Sequence, residues 1–313
     1  MTEFAACCIL KFSKGVDHMN INGISDALKI VEKYENDPIF EKDGEFLYTE
    51  ALQYLFDKTG EGEYISRLAG FYYEQHRFDL ALKYYEAAAD KGILHAFESL
   101  GYIWYYGRTG CTDYEKAFKY YSKAAEMGSL SSKIKIADMY KNGYFVEKNS
   151  DEYKRRIMAL YPKVKNAKLL DDPLPEVYTR LARIYIDDGR NEEAAKLLID
   201  ARPFLEQRMM KNPFFGTLNQ LNWLINDYYS IAEFDSDNIE LYDLFDLLKT
   251  PAKVRFWFED EQHIVESAEG ETEPEICFDG KWFRTCKDFF LKAEIDGIRI
   301  TALCYDLYGF EVI

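Results

Sequence analysis

The feature that most constrains this chain is an internal echo. Residues 81–92, Ala-Leu-Lys-Tyr-Tyr-Glu-Ala-Ala-Ala-Asp-Lys-Gly, return 36 positions later at 117–128 as Ala-Phe-Lys-Tyr-Tyr-Ser-Lys-Ala-Ala-Glu-Met-Gly. Self-similarity at such a period marks a stacked array, in which each unit buries its apolar face only against its neighbours. Within each block the tyrosines and alanines recur at helical spacing, so one packed face is expected. The small alanines let a neighbouring helix come close. Gly92 and Gly128 stand where a left-handed helix cap is wanted.

Each block reads as the second helix of a pair, and the first helices are visible too. Leu68-Ala69 with Tyr72, then Ala81, Tyr85 and Ala88, set a large-small-Tyr pattern. Leu181-Ala182 with Tyr185, Gly189, Ala194, Leu198 and Ala201 repeats it at the same intervals. Leu100-Gly101, Trp104, Gly107, Asp113, Ala117, Tyr121, Ala124-Ala125 and Gly128 form a longer version. A further unit begins with Ile136-Ala137, Tyr140, Gly143 and Val146, but Tyr153 stands where Ala is expected and Pro162 interrupts its second half. A displaced or bent helix is expected there.

These motifs resemble tetratricopeptide and Sel1-like repeats over about residues 62–206. The resemblance implies a mainly α protein, a right-handed α-α superhelix of units at about 62–94, 95–130, 131–170 and 175–206. Asp171-Asp172-Pro173-Leu174-Pro175 reads as a connector before the last unit, because proline removes a donor and restricts the residue before it. Residues 1–61 hold two amphipathic segments, Ile24–Tyr34 and Glu45–Asp57, read as a helical cap; residues 207–250 read as a closing helix pair, with apolar residues at 218–229 and 241–248.

Beyond Pro251 the texture changes. Val254–Phe258 is strand-like, and Asp279-Gly280 between apolar runs signals a two-residue hairpin. Glu259–Glu275 reads as containing an acidic loop, Phe289-Phe290-Leu291 as a short helix, and Ile298–Tyr308 as helix or strand. Residues 251–313 are therefore expected to form a small acidic α+β domain.

Charge narrows the partners. The formal net charge is −16, and residues 234–313 contribute 19 acids against 8 bases. An acidic surface repels phosphate backbones, so a protein or peptide ligand is expected rather than nucleic acid. No apolar run approaches the roughly 20 residues that span a bilayer, and Phe4–Leu10 is too short and wrongly flanked for an export signal. A cytoplasmic protein is expected. The six cysteines, Cys7, Cys8, Cys111, Cys277, Cys286 and Cys304, show no CxxC spacing and read as reduced thiols, although a Cys277–Cys286 bridge is sterically conceivable.

No catalytic motif emerges. His18, His76, His95 and His263 show no metal-ligand spacing, so neither a metal nor a cofactor is expected. Phosphate-cradling glycine loops and nucleophile elbows are absent, and a Cys277/His263 pair is weaker than the buried-thiol reading.

What the resemblance implies instead is a concave groove lined by first helices. Carried over by position, its ligand-facing residues are Tyr73, Glu74, His95, Tyr102, Tyr105, Tyr106, Asp138, Lys141, Asn142, Thr179, Arg183 and Asp187. The cluster of Tyr102, Tyr105 and Tyr106 suits interface anchoring or core packing equally. The expected function is a non-catalytic scaffold or adaptor that holds a protein or peptide in this groove. The alternative is an immunity-type inhibitor that masks a basic effector with its acidic carboxy-terminal domain.

Overall fold

The computed structural model describes residues 21–36, 38–166, 174–270 and 272–313. Cys7, Cys8, His18, the Phe4–Leu10 stretch and the Asp171-Asp172-Pro173 connector lie outside the described residues. The chain divides into two compact parts, residues 1–149 and 150–313.

The amino-terminal part is a run of helices in which each packs on the next. They are α1 (Ile24–Asn36), α2 (Pro38–Thr59), α3 (Gly62–Glu74), α4 (Phe78–Asp90), α5 (Leu94–Tyr106), α6 (Tyr114–Glu126) and α7 (Leu130–Asn142). The two amphipathic segments expected before residue 61 are α1 and α2. They bury Ala27, Ile30, Val31, Ala51 and Leu55, together with Leu68 of α3.

The repeat residues form the seams. Ala81, Ala88, Ala117 and Ala124 are fully buried, and Tyr85 and Tyr121 nearly so. Gly101 decides how closely α5 meets α6, because a Cβ there would lie 2.6 Å from carbons of the Tyr121 ring. Gly92 and Gly128 close α4 and α6 with φ of 77° and 111°, as their places in the repeat require. Side-chain caps start α6 and α7: Asp113 accepts from the Lys116 amide and Ser129 from the Ser132 amide, each at 2.9 Å.

The carboxy-terminal part begins with α8 (Ser150–Val164), α9 (Pro175–Asp187), α10 (Asn191–Lys211) and α11 (Phe215–Tyr229), again packed in sequence. Helix α8 carries Tyr153 buried and runs through Pro162 to Val164. A proline so near the end forfeits few backbone bonds. Helix α10 continues past residue 206, the expected end of the array.

The expected closing pair is only half present. After α11 comes a 3-10 turn, Leu241–Asp243, and a four-residue helix, α12 (Leu244–Leu247). The apolar run at 241–248 serves a different purpose from a second long helix. Tyr242 and Phe245 stack on Phe290, with Phe245 and Phe290 centroids 4.1 Å apart.

Phe290 lies on α13 (Cys286–Lys292), which packs on an antiparallel five-stranded sheet. Its strands are β1 (Lys253–Phe258), β2 (Glu261–Ala268), β3 (Glu275–Phe278), β4 (Lys281–Phe283) and β7 (Tyr308–Val312), in the order β4-β3-β2-β1-β7. A small ribbon, β5 (Glu294–Ile295) with β6 (Ile298–Arg299), precedes a 3-10 turn at Ile300–Ala302. The ambiguous stretch 298–308 is thus part ribbon, part turn. Asp279 and Gly280, at φ 47° and 82°, make the expected hairpin turn.

The acidic loop is shorter than expected. Most of 259–275 is strand β2, entered through Glu259 and Asp260, both at positive φ. Cys111, Cys277, Cys286 and Cys304 are free thiols, so Cys277 and Cys286 are not bridged. Among the described residues no helix is long and apolar enough to cross a membrane.

The Gly101–Tyr121 contact gives a sharp test. Gly to Ala inside a helix normally gains about 1 kcal/mol of propensity, whereas forcing a methyl into a filled seam costs about 1–3 kcal/mol. Gly101→Ala is therefore expected to lower the urea midpoint. A raised midpoint would mean that the seam is looser than these distances.

Candidate functional site: a tyrosine-lined groove in the amino-terminal part

Helices α3, α5 and α7 are the first members of successive pairs, and between them runs a cavity of about 480 Å³. Gly70, Tyr73 and Glu74 line it from α3; His95, Glu98, Ser99 and Tyr102 from α5; Ser131, Ser132 and Lys135 from α7. Tyr85 and Tyr121 reach into it from the second helices α4 and α6.

Of the residues expected to face a ligand, Tyr73, Glu74, His95 and Tyr102 are brought together here. Tyr73 meets Tyr102 edge to face at 6.2 Å. The Tyr102 hydroxyl accepts from Arg108 at 3.0 Å, and the guanidinium also lies over the Tyr102 and Tyr106 rings. Tyr106 sits beside the cavity rather than in its lining, its ring 4.4 Å from that of Tyr102. Lys135 donates to the Tyr106 hydroxyl at 2.9 Å. Arg108, Tyr106 and Lys135 thus brace one edge of the groove.

Tyr105 points elsewhere. Its ring packs among Tyr114, Tyr121 and Tyr144, against the cluster built on Ala117 and Met139. The tyrosine cluster is therefore divided between groove and core. Asp138, Lys141 and Asn142 lie farther along α7 and are not among the lining residues.

Thr179, Arg183 and Asp187 stand on α9 in the carboxy-terminal part. Arg183 is held 2.6 Å from Asp227 of α11, and the Thr179 hydroxyl donates to the Glu176 carbonyl, while Asp187 is exposed.

The polar side of the groove is a connected network. Ser129 donates to Glu98 at 2.5 Å while capping α7 through the Ser132 amide. His95 Nδ1 is 3.9 Å from the other Glu98 oxygen, an ion-pair separation rather than a hydrogen bond, and its Nε2 is 3.4 Å from Ser99. The Glu98 carboxylate raises the His95 pKa against the opposing effect of partial burial. His95 in turn holds the Glu98 carboxyl below its ordinary value, opposed by burial and helped by Ser129. Burial pushes the phenols of Tyr73, Tyr85 and Tyr121 up, so they stay protonated and able to donate.

The carboxy-terminal part has its own cavity of about 470 Å³, between α10, α11 and the segment after α11. Arg202 occupies its wall, bonded to Glu206 at 2.6 Å, to Asp243 at 2.8 Å and to Glu240 at 3.0 Å. Tyr229 and Tyr305 donate to Asp243 and Glu206. Every charge in this cluster has a partner, which makes it a strut. Among the described residues no group of three His, Cys, Asp or Glu side chains is placed to hold a metal.

A Sel1 repeat family model matches residues 78–93 and 99–129, which span α4, α5 and α6. The chain carries Sel1-like repeats. Solved structures with similar backbones include a Sel1 repeat protein from Oxalobacter formigenes, 17% identical, covering 69% of this chain and 88% of that one with a TM-score of 0.49. A protective antigen of uropathogenic Escherichia coli with an SLR fold is also 17% identical, covering 67% of this chain and 43% of that one at a TM-score of 0.46. No curated protein matches. Sel1-like and tetratricopeptide repeats are typical of non-catalytic scaffolds that bind protein partners.

The sequence marked four of the lining side chains. It missed Tyr85 and Tyr121, whose burial in the seams concealed that their far ends reach the groove. It also missed Glu98 and Ser99, although their spacing of three and four from His95 puts all three on one helix face.

Two predictions follow from these networks. His95 is expected to titrate above the ordinary imidazole value, and Glu98→Gln to bring its NMR midpoint down. With its pKa raised in the folded state, the His95 contribution to stability is full at low pH and fades as pH rises through the folded value. Arg202→Leu leaves buried carboxylates uncompensated and should cost about 3–5 kcal/mol in denaturant unfolding. A change below about 1 kcal/mol would contradict the strut.

Proposed function

We propose that this protein is a non-catalytic adaptor whose amino-terminal groove holds an extended segment of a partner protein. One observation carries the reading: a largely apolar cavity is lined by Tyr73, Tyr85, Tyr102 and Tyr121, with His95, Glu98 and Lys135 converging on it. Ligand sites are concave, mostly apolar and fixed in orientation by a few polar groups. Tyrosines supply contact area at small entropic cost. The groove is too open and too long for a small metabolite to need all three first helices, whereas an extended chain would meet each in turn. The free thiols and the acidic composition fit a cytoplasmic setting.

The rival reading, an inhibitor that masks a basic effector, draws on the acidic carboxy-terminal region, where Glu269, Glu273 and Glu275 are exposed on one loop. The two readings part on mutation. Affinity capture from native extract would compare full-length Tyr73→Ala/Tyr102→Ala with Glu269→Lys/Glu273→Lys. The groove variant is expected to lose its principal partner by more than about tenfold, the equivalent of one hot-spot residue, with circular dichroism unchanged. Loss confined to the charge-reversed variant would transfer the function to the acidic loop.

A further inference from the structure

The floor of the groove holds an imbalance that packing does not explain. The Tyr121 hydroxyl and the Ser132 Oγ both belong to the lining, and neither has a hydrogen-bond partner. Their residues are only 2% and 1% exposed. Buried hydroxyls without partners destabilise a fold, so phenylalanine and alanine would serve the seam better. Two donors on the floor of a groove point to an acceptor on whatever enters it.

Their surroundings decide which acceptor. Glu98 faces the same cavity, and its link through Ser129 to the Ser132 amide places it beside the floor. With Glu74 also in the lining, a carboxylate would enter against two like charges. An ammonium would meet the amino-terminal end of α7, Lys135 and His95. A group that accepts from hydroxyls and donates to a carboxylate on adjacent atoms, while carrying no charge, is a carboxamide.

We infer that the floor of this groove is a recognition pocket for a carboxamide, the side chain of a glutamine or asparagine in the bound segment. Its carbonyl accepts from Tyr121 and Ser132, and its amino group donates to Glu98. The methylene stem lies among the rings of Tyr85 and Tyr102. Both hydroxyls sit just beneath the lining, so entry of the amide is accompanied by small side-chain shifts of the kind common at interfaces. This rests on the groove being the binding face.

The test uses the full-length protein and capped tripeptides, acetyl-Ala-X-Ala-amide with X as Gln, Asn, Glu or Met, titrated by NMR on the Tyr121 ring and Ser132 amide signals. The better of Gln and Asn is expected to bind about tenfold tighter than Met, the worth of a satisfied hydrogen-bond pair, and Glu no better than Met. Tyr121→Phe and Ser132→Ala should each erase that preference while keeping the Met affinity and a Tm equal to or above the parent's. Equal binding of the amide and Met peptides, tighter binding of Glu, or a preference that survives both substitutions would each overturn the pocket. If Tyr73→Ala/Tyr102→Ala still abolishes partner capture in that event, the groove stands and only the pocket falls. If capture also survives, both fall.

Discussion

The contact of the Tyr121 ring with the backbone of Gly101 sets the geometry on which the amino-terminal part depends. A ring seated on a glycine brings α5 and α6 as close as two helices pack, and the buried alanines at 117 and 124 keep the rest of that face equally shallow. Close seams fix where the first helices stand. That spacing leaves a groove between α3, α5 and α7 instead of a filled core.

The same residue joins packing to recognition. Its ring fills the seam, and its hydroxyl reaches the cavity floor beside Glu98 and Ser132. A residue that serves the core at one end and the ligand at the other cannot be optimised for either alone. The orphan hydroxyl is the visible sign of that compromise.

The repeats were legible because helix seams demand small residues and tyrosines at fixed intervals, and those intervals survive in plain sequence. The site was legible only where it coincided with that register. Three tyrosines within five residues look like one cluster, yet neighbours on a helix diverge by roughly 100°, so Tyr105 turns into the core while Tyr102 and Tyr106 stay on the groove side. Strand β2 escaped notice because its inward positions include His263 and Ser267 beside Val265, which breaks the apolar alternation. His263 is accommodated by Asp279 at 2.6 Å and by the rings of Phe256 and Phe278. The leucine-rich run at 241–248 imitated a long amphipathic helix, but its apolar side chains divide between α11 and α13, and no single straight helix could serve both.

Arg202 leaves the carboxy-terminal part with little modularity. One guanidinium ties the last long repeat helix to Asp243 in the segment that follows α11, and Glu206 on that helix is gripped by Tyr305, which lies beyond the sheet's first four strands. Helix α10 and the sheet region therefore share one electrostatic keystone. Adding or deleting helix pairs, the ordinary route by which solenoids change length, is open along seams of alanine and glycine. It is closed here, where the end of the array and its terminal domain must be inherited as a single piece.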